Sequence, residues 1–297
     1  MYTSDKPYTL ITGASEGLGK ALAIECASRG MNLVLVALPG IELYQLASYI
    51  RRRYNVIVCE YELDISQRDN CVHLWRTLLQ NNVSINMLIN NAGCGGTGFF
   101  EEYRFETFQK QIELNVMTTV QLTHLFLPEL KKHERSYILN VSSLSVFFYL
   151  AKKQVYGATK SFVYFFSKSL RKELRQQGVN VTVLCPGGIN SNPLQYMQKR
   201  SLSRIGRLSV MNPEDIAPLA IGGLLEGKER IIPGKLNRLF MWLDKLLPAW
   251  LKNKMTLQQM KKFNTLKVER LLKGESFDTS TSSVQAAQDS DDDKKAA

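Results

Sequence analysis

Short apolar runs alternate with longer amphipathic stretches over the first 190 residues of the chain. Tyr8–Thr12 reads as a strand, followed by a glycine-rich turn and a helix over Gly17–Arg29. Asn32–Ala37 (NLVLVA) is apolar at almost every position, the pattern of a strand buried on both faces. The same alternation predicts helices over Glu42–Tyr54, Gln67–Gln80, Phe105–Lys131 and Tyr156–Gln176. It predicts further strands over Val56–Tyr61, Asn86–Asn90, Tyr137–Val141 and Val179–Leu184. Such a series with short loops implies an α/β fold: a Rossmann-type, doubly wound parallel sheet of about seven strands, with helices on both faces.

The rhythm breaks at residues 187–211, which are polar, basic and rich in Gly, Asn, Ser and Pro. A long irregular segment after a sheet strand suits a lid or binding loop. A helix then begins at Asn212-Pro213, with proline at its first position, and runs to about Glu226. A short strand, Arg230–Ile232, follows. Residues 1–234 are therefore expected to form the dinucleotide-binding and catalytic domain. Residues 235–274 are expected to add a basic amphipathic helical extension. Residues 275–297 collapse to Ser, Thr, Gln and Asp and are expected to be a disordered tail, because they offer no core.

Composition narrows the chemistry. At 297 residues and 44% hydrophobic, the chain can bury a core without disulfides or metals. Its five cysteines and three histidines are scattered without ligand or disulfide spacing, so no metal is expected. No secretory signal is visible at the N-terminus, and no apolar run reaches the roughly 18 residues of a membrane span. The expected location is cytoplasmic. The net charge of +11 is uneven, because residues 275–297 alone carry −4. Residues 228–273 hold twelve Lys/Arg against three acids, with Leu236, Leu239, Phe240, Trp242, Leu243, Leu246, Leu247, Trp250 and Leu251 among them. This stretch suits either peripheral contact with an anionic membrane or a helix packed over the substrate cleft with a solvated basic face. No nucleic-acid motif accompanies the charge, so nucleic acid is not an expected partner.

Four motifs carry chemistry. Thr12-Gly13-Ala14-Ser15-Glu16-Gly17-Leu18-Gly19 lies between the first strand and first helix. Glycines there let backbone approach a diphosphate, and the helix start offers free N–H groups to the anion. Asn90-Asn91-Ala92-Gly93 ends the fourth strand, where small residues let a ligand cross the sheet edge. Ser142-Ser143 ends the fifth strand, where a hydroxyl can hydrogen-bond a developing oxyanion. Tyr156 and Lys160 are four apart on one helix face, where the lysine would favour the phenolate and lower its pKa from about 10.

In this order and spacing, followed by Pro186-Gly187, the motifs resemble the short-chain dehydrogenase/reductase family over residues 7–233. The resemblance implies hydride exchange between a nicotinamide cofactor and a carbonyl or carbinol carbon. Tyr156 would be the general acid/base, Ser143 would orient the oxygen, and Lys160 would tune Tyr156 and hold the ribose. Asn115 would support a water relay. Gly13, Ser15, Glu16, Gly17, Leu18, Gly19, Leu38, Asn91, Ala92 and Gly93 would line the cofactor site. So would Asp64 near the adenine, and Pro186, Gly187, Ile189 and Ser191 near the nicotinamide. Ala37 stands where members that prefer NAD carry an acid, and Leu38 where NADP users often carry arginine. NADP is the favoured expectation over NAD. The aromatic run Val146-Phe147-Phe148-Tyr149-Leu150 suits either a wall for a hydrophobic acyl-chain or sterol-like substrate, or hinge packing or a dimer contact. A homo-oligomer is expected. A non-catalytic dinucleotide-binding regulator on the same fold is the alternative function.

Overall fold

A computed structural model describes residues 6–148, 152–190, 209–246, 248 and 257. Seven parallel strands form one sheet: β1 (Tyr8–Thr12), β2 (Asn32–Ala37), β3 (Val58–Glu62), β4 (Ile85–Asn90), β5 (Ser136–Val141), β6 (Val179–Leu184) and β7 (Arg230–Ile231). Their spatial order is β3-β2-β1-β4-β5-β6-β7, so the winding reverses between β1 and β4. Every residue of β1 and β2 is buried, because helices cover both sheet faces. The predicted strand at Val56 begins at Val58 instead, since Val56 and Ile57 still belong to the turn that feeds it.

The helices are α1 (Gly17–Ser28), α2 (Ile41–Arg53), α3 (Arg68–Gln80), α4 (Phe105–Ile112), α5 (Thr118–Leu130), α6 (Gln154–Leu174), α7 (Pro213–Leu225) and α8 (Lys235–Leu246). Helix α1 is apolar nearly all round, and its surroundings explain that. It lies between the sheet and α7, in one core cluster with Ala217, Ala220, Ile221 and Leu224. A second cluster fills the opposite face, joining Leu74 and Leu78 of α3 to Leu122, Phe126 and Leu130 of α5. A third joins Leu144, Tyr164, Val183, Cys185 and Ile232 to Met241 of α8.

Two expectations change here. The single helix predicted over Phe105–Lys131 is interrupted by a π turn at Glu113–Met117. The wider turn is offset by the hydrogen bonds of Asn115 described below, consistent with π bulges gathering at functional sites. Val146, Phe147 and Phe148 pack against the third cluster, with the Phe147 ring edge-on to Tyr164 at 5.5 Å. Phe147 thus packs within the fold, while Tyr149 and Leu150 lie outside the described residues. Most of the lid expected over 187–211, the membrane segment beyond α8 and the acidic tail also lie outside them. The lid's two ends are held together, because Ile189 bridges Met211 and Asn190 N–H donates to Met211 O at 3.0 Å.

Candidate active site

The strand reversal opens a crevice at the carboxyl ends of β1 and β4, where ligands bind in open α/β sheets. The glycine loop forms one wall. Gly13 and Gly17 have φ of 61° and 52°, left-handed values that disfavour a side chain. A Cβ on Gly19 would run into the carbonyl of Gly13 and the amide of Asn91. The loop can thus pass close under α1, whose N-cap Glu16 makes no capping bond with its side chain. The first N–H groups of α1 are left facing the crevice, as a diphosphate requires. Ser15 is half-buried, Glu16 exposed, and Leu18 buried. This cradle fits a dinucleotide.

Asn91 ties this wall to β4. Its Nδ2 donates to Thr12 O at 2.9 Å and Gly13 O at 3.1 Å, while Thr12 Oγ1 accepts from the N–H groups of Asn91 and Ala92, both at 3.0 Å. Thr12 is a positioning residue: the motif begins on it but assigns it no role, because a strand-end threonine looks like ordinary β propensity. Gly93 has a close approach as its reason: a Cβ there would lie 2.8 Å from Asn115 Oδ1 and 3.1 Å from Lys160 Nζ.

The second wall brings four polar side chains together. Asn115 is 1% exposed and clamps Cys94 from both sides, accepting from its N–H at 2.9 Å and donating to its carbonyl at 2.8 Å. Its Nδ2 also donates to Thr159 Oγ1 at 3.0 Å, which joins the π turn to α6. Lys160 is buried, and its ammonium Nζ donates to Val141 O at 2.9 Å. Burial pushes its pKa down to about 8, with Cys94 and Cys185 partly opposing the shift. Ser142 Oγ donates to Lys160 O at 2.7 Å and so fixes the helix against β5.

Tyr156 lies in the first turn of α6, and Ser143, whose Oγ accepts from Ser145 N–H at 3.1 Å, is near enough to influence its phenol. Desolvation pushes the phenol above its ordinary value, and Ser143 only partly opposes it. This reverses the sequence expectation, in which Lys160 lowers the phenol. The reason is geometric: the ammonium points at the Val141 carbonyl, and burial acts on both groups. Lys153 lies over the Tyr156 ring at 5.3 Å, with its pKa lowered by burial.

The remaining predicted residues spread along the same edge. Asp64 Oδ1 accepts from Ser66 N–H at 3.0 Å and Ser66 Oγ at 2.7 Å. Leu38 is 47% exposed in the turn after β2. Pro186 O accepts from Leu144 N–H at 2.7 Å, joining the Pro186-Gly187 turn to the Ser143 segment. Ser191 lies outside the described residues. Beneath the site, Asn90 Nδ2 donates to Asn140 Oδ1 at 2.8 Å and Asn140 Nδ2 to Ser167 Oγ at 2.9 Å. This buried ladder pins β4, β5 and α6 together. No sequence signal marks it, because an asparagine inside a strand is read as a break in the apolar pattern.

Gly19→Ala is expected to weaken dinucleotide affinity at least tenfold, about 1.4 kcal/mol, because the methyl group meets backbone that must shift. Titration of nicotinamide fluorescence checks it; unchanged affinity would show that the loop is not the diphosphate cradle.

Comparison with known proteins agrees with this geometry. A family profile described as short chain dehydrogenase matches residues 7–201. A very-long-chain 3-oxoacyl-CoA reductase from Anas platyrhynchos is 30% identical over 251 residues, covering 82% of this chain and 76% of that protein. The bulky-bulky ketone specific alcohol dehydrogenase from Comamonas testosteroni superposes with a TM-score of 0.70 at 29% identity, covering 82% of this chain and 92% of that one. A short-chain dehydrogenase from Sphingobium yanoikuyae, solved in complex with NADPH, gives 0.70 at 29% identity over 77% of this chain and 88% of that one. The chain belongs to the short-chain dehydrogenase family.

Proposed function

We propose that the chain interconverts a hydrophobic ketone or 3-oxoacyl compound and its secondary alcohol, with Tyr156 as general acid/base. The observation that carries this is the meeting of Ser143, Tyr156, Lys160 and Asn115 at the carboxyl ends of β4 and β5, beside the glycine cradle. A bound nicotinamide dinucleotide would supply the hydride. Gly13, Ser15, Gly17, Leu18, Gly19, Asn91, Ala92 and Gly93 would hold its diphosphate side, Asp64 its adenine, and Pro186, Gly187 and Ile189 its nicotinamide end. Ser143 Oγ donates to the substrate oxygen and aligns it with the phenol. Tyr156 Oη gives its proton to that oxygen in reduction and takes one back in oxidation. Lys160 Nζ, with one protein acceptor, has donors left for the ribose. Asn115 holds the Cys94 backbone and α6 in register, and thereby the position of Tyr156.

The substrate class rests on the relatives, one acting on 3-oxoacyl-CoA and another specific for bulky ketones. A screen of acyl-CoA thioesters, bulky ketones and their alcohols with NADH and NADPH, followed at the nicotinamide absorbance, tests it. Turnover of any pair supports an enzyme. Cofactor binding without turnover across the panel favours the regulatory alternative. Two further expectations concern partners. Exposed Phe162 and Phe165 on α6 support a homo-oligomer, and exposed Leu239 and Trp242 on α8 support a peripheral membrane contact. No helix among the described residues is long and apolar enough to cross a membrane.

A further inference from the structure

The turn after β2 bears on which dinucleotide the crevice accepts. In dinucleotide folds an acid near this point accepts the ribose hydroxyls, whereas an arginine accommodates a 2′-phosphate. Here β2 ends in Ala37 and the turn begins with Leu38, which do neither. The sheet register supplies what β2 lacks. Glu62, the last residue of β3, pairs directly with Ala37, so the two side chains rise on the same sheet face. The alanine methyl leaves the neighbouring carboxylate unobstructed. Glu62 Oε1 accepts from Gly40 N–H at 3.2 Å, which draws the carboxylate across the turn that follows β2. Glu62 Oε2 has no hydrogen-bond partner among the described residues.

Charge around the turn points the same way. Residues 13–19, 37–42 and 62–66 carry Glu16, Glu42, Glu62 and Asp64, and no Lys or Arg. The N-terminus of α2 would otherwise attract a phosphate. Glu42 folds back over it, so that a Cβ on Gly40 would lie 2.7 Å from Glu42 Oε2. The arginines of α2 occupy its last turn, about 15 Å along the axis at 1.5 Å per residue. Arg51 is already engaged there by Glu60 and the Val58 carbonyl.

We propose that Glu62 takes the place of the acid missing from β2: it accepts a ribose hydroxyl through Oε2, repels a 2′-phosphate, and makes the chain prefer NAD(H) to NADP(H). The inference rests on the crevice being the cofactor site. It reverses the preference drawn from Ala37 alone, because the deciding carboxylate comes from a strand 25 residues further on.

Binding rather than turnover tests it. NADH and NADPH are titrated into the full-length protein and its E62Q and E62R variants by nicotinamide fluorescence. Gln keeps the acceptor for Gly40 N–H, and residue 62 is exposed, so the fold is retained. The wild type is expected to bind NADH at least tenfold more tightly than NADPH, E62Q to narrow that ratio to within about threefold, and E62R to invert it. Wild-type preference for NADPH, or an E62Q ratio equal to wild type, overturns the assignment while leaving the crevice as the cofactor site. Failure of either nucleotide to bind any of the three proteins overturns both.

Discussion

Replacing Tyr156 with Phe is expected to lower turnover by at least about a hundredfold while cofactor affinity stays within about threefold of wild type. The substitution removes one oxygen and leaves the ring, so the packing of α6 and the Lys153 ammonium above that ring persist. The lost atom is the proposed source of the proton. Because burial raises the phenol's pKa, Tyr156 is protonated throughout the neutral range. Reduction, which consumes that proton, is expected to proceed well at neutral pH. Alcohol oxidation, which needs the phenolate as base, is expected to climb as pH rises toward the phenol's pKa. Single-turnover rates across pH for wild type and Y156F check both statements. A variant within tenfold of wild type would remove Tyr156 from the chemistry. A flat oxidation profile would place the titrating group elsewhere.

Lys160→Met is expected to do two opposite things. Cofactor affinity and turnover fall, because the ammonium that would grip the ribose is gone. The cofactor-free protein becomes more stable. Lys160 is 6% exposed and its pKa drops from 10.5 to about 8 on folding, so keeping it charged costs about 3 kcal/mol. The sign follows from protonation. Below pH 8 the lysine is charged in both folded and unfolded states, and the full cost is present. Between pH 8 and 10.5 the unfolded chain holds the proton more tightly, so raising pH relieves the cost. Losing the bond to Val141 O offsets about 1 kcal/mol of the gain. The net expectation at pH 7 is a stabilisation of about 2 kcal/mol, or roughly 4–8 °C in melting temperature for a domain of this size. The gain should shrink at pH 10. Calorimetry of both proteins at the two pH values checks it. A less stable K160M at pH 7 would mean that the ammonium has compensating partners.

Local pattern determined much of this protein. The runs that became β1, β2 and β6 were legible residue for residue, because a parallel strand covered on both faces favours continuous apolar and β-branched residues. The glycine loop, the Asn-Asn-Ala-Gly turn and the Tyr156–Lys160 pair were legible because each serves a short-range requirement: a left-handed φ, a close backbone approach, or one helix face. Tertiary structure alone decided the rest. The π turn at Asn115 is stable because Cys94, in the loop after β4, and Thr159, on α6, meet the asparagine's amide. The direction of the Tyr156 shift depends on how deeply the phenol and ammonium are buried, which spacing along a helix does not specify. The charge beside Ala37 depends on which strand pairs with β2. Ala37 read in its own strand implies a site without an acid, whereas Ala37 read across the sheet has Glu62 as its neighbour. Strand pairing brings residues far apart in sequence within side-chain reach, so a one-dimensional pattern registers the acid absent from β2 and cannot register the carboxylate on the strand beside it.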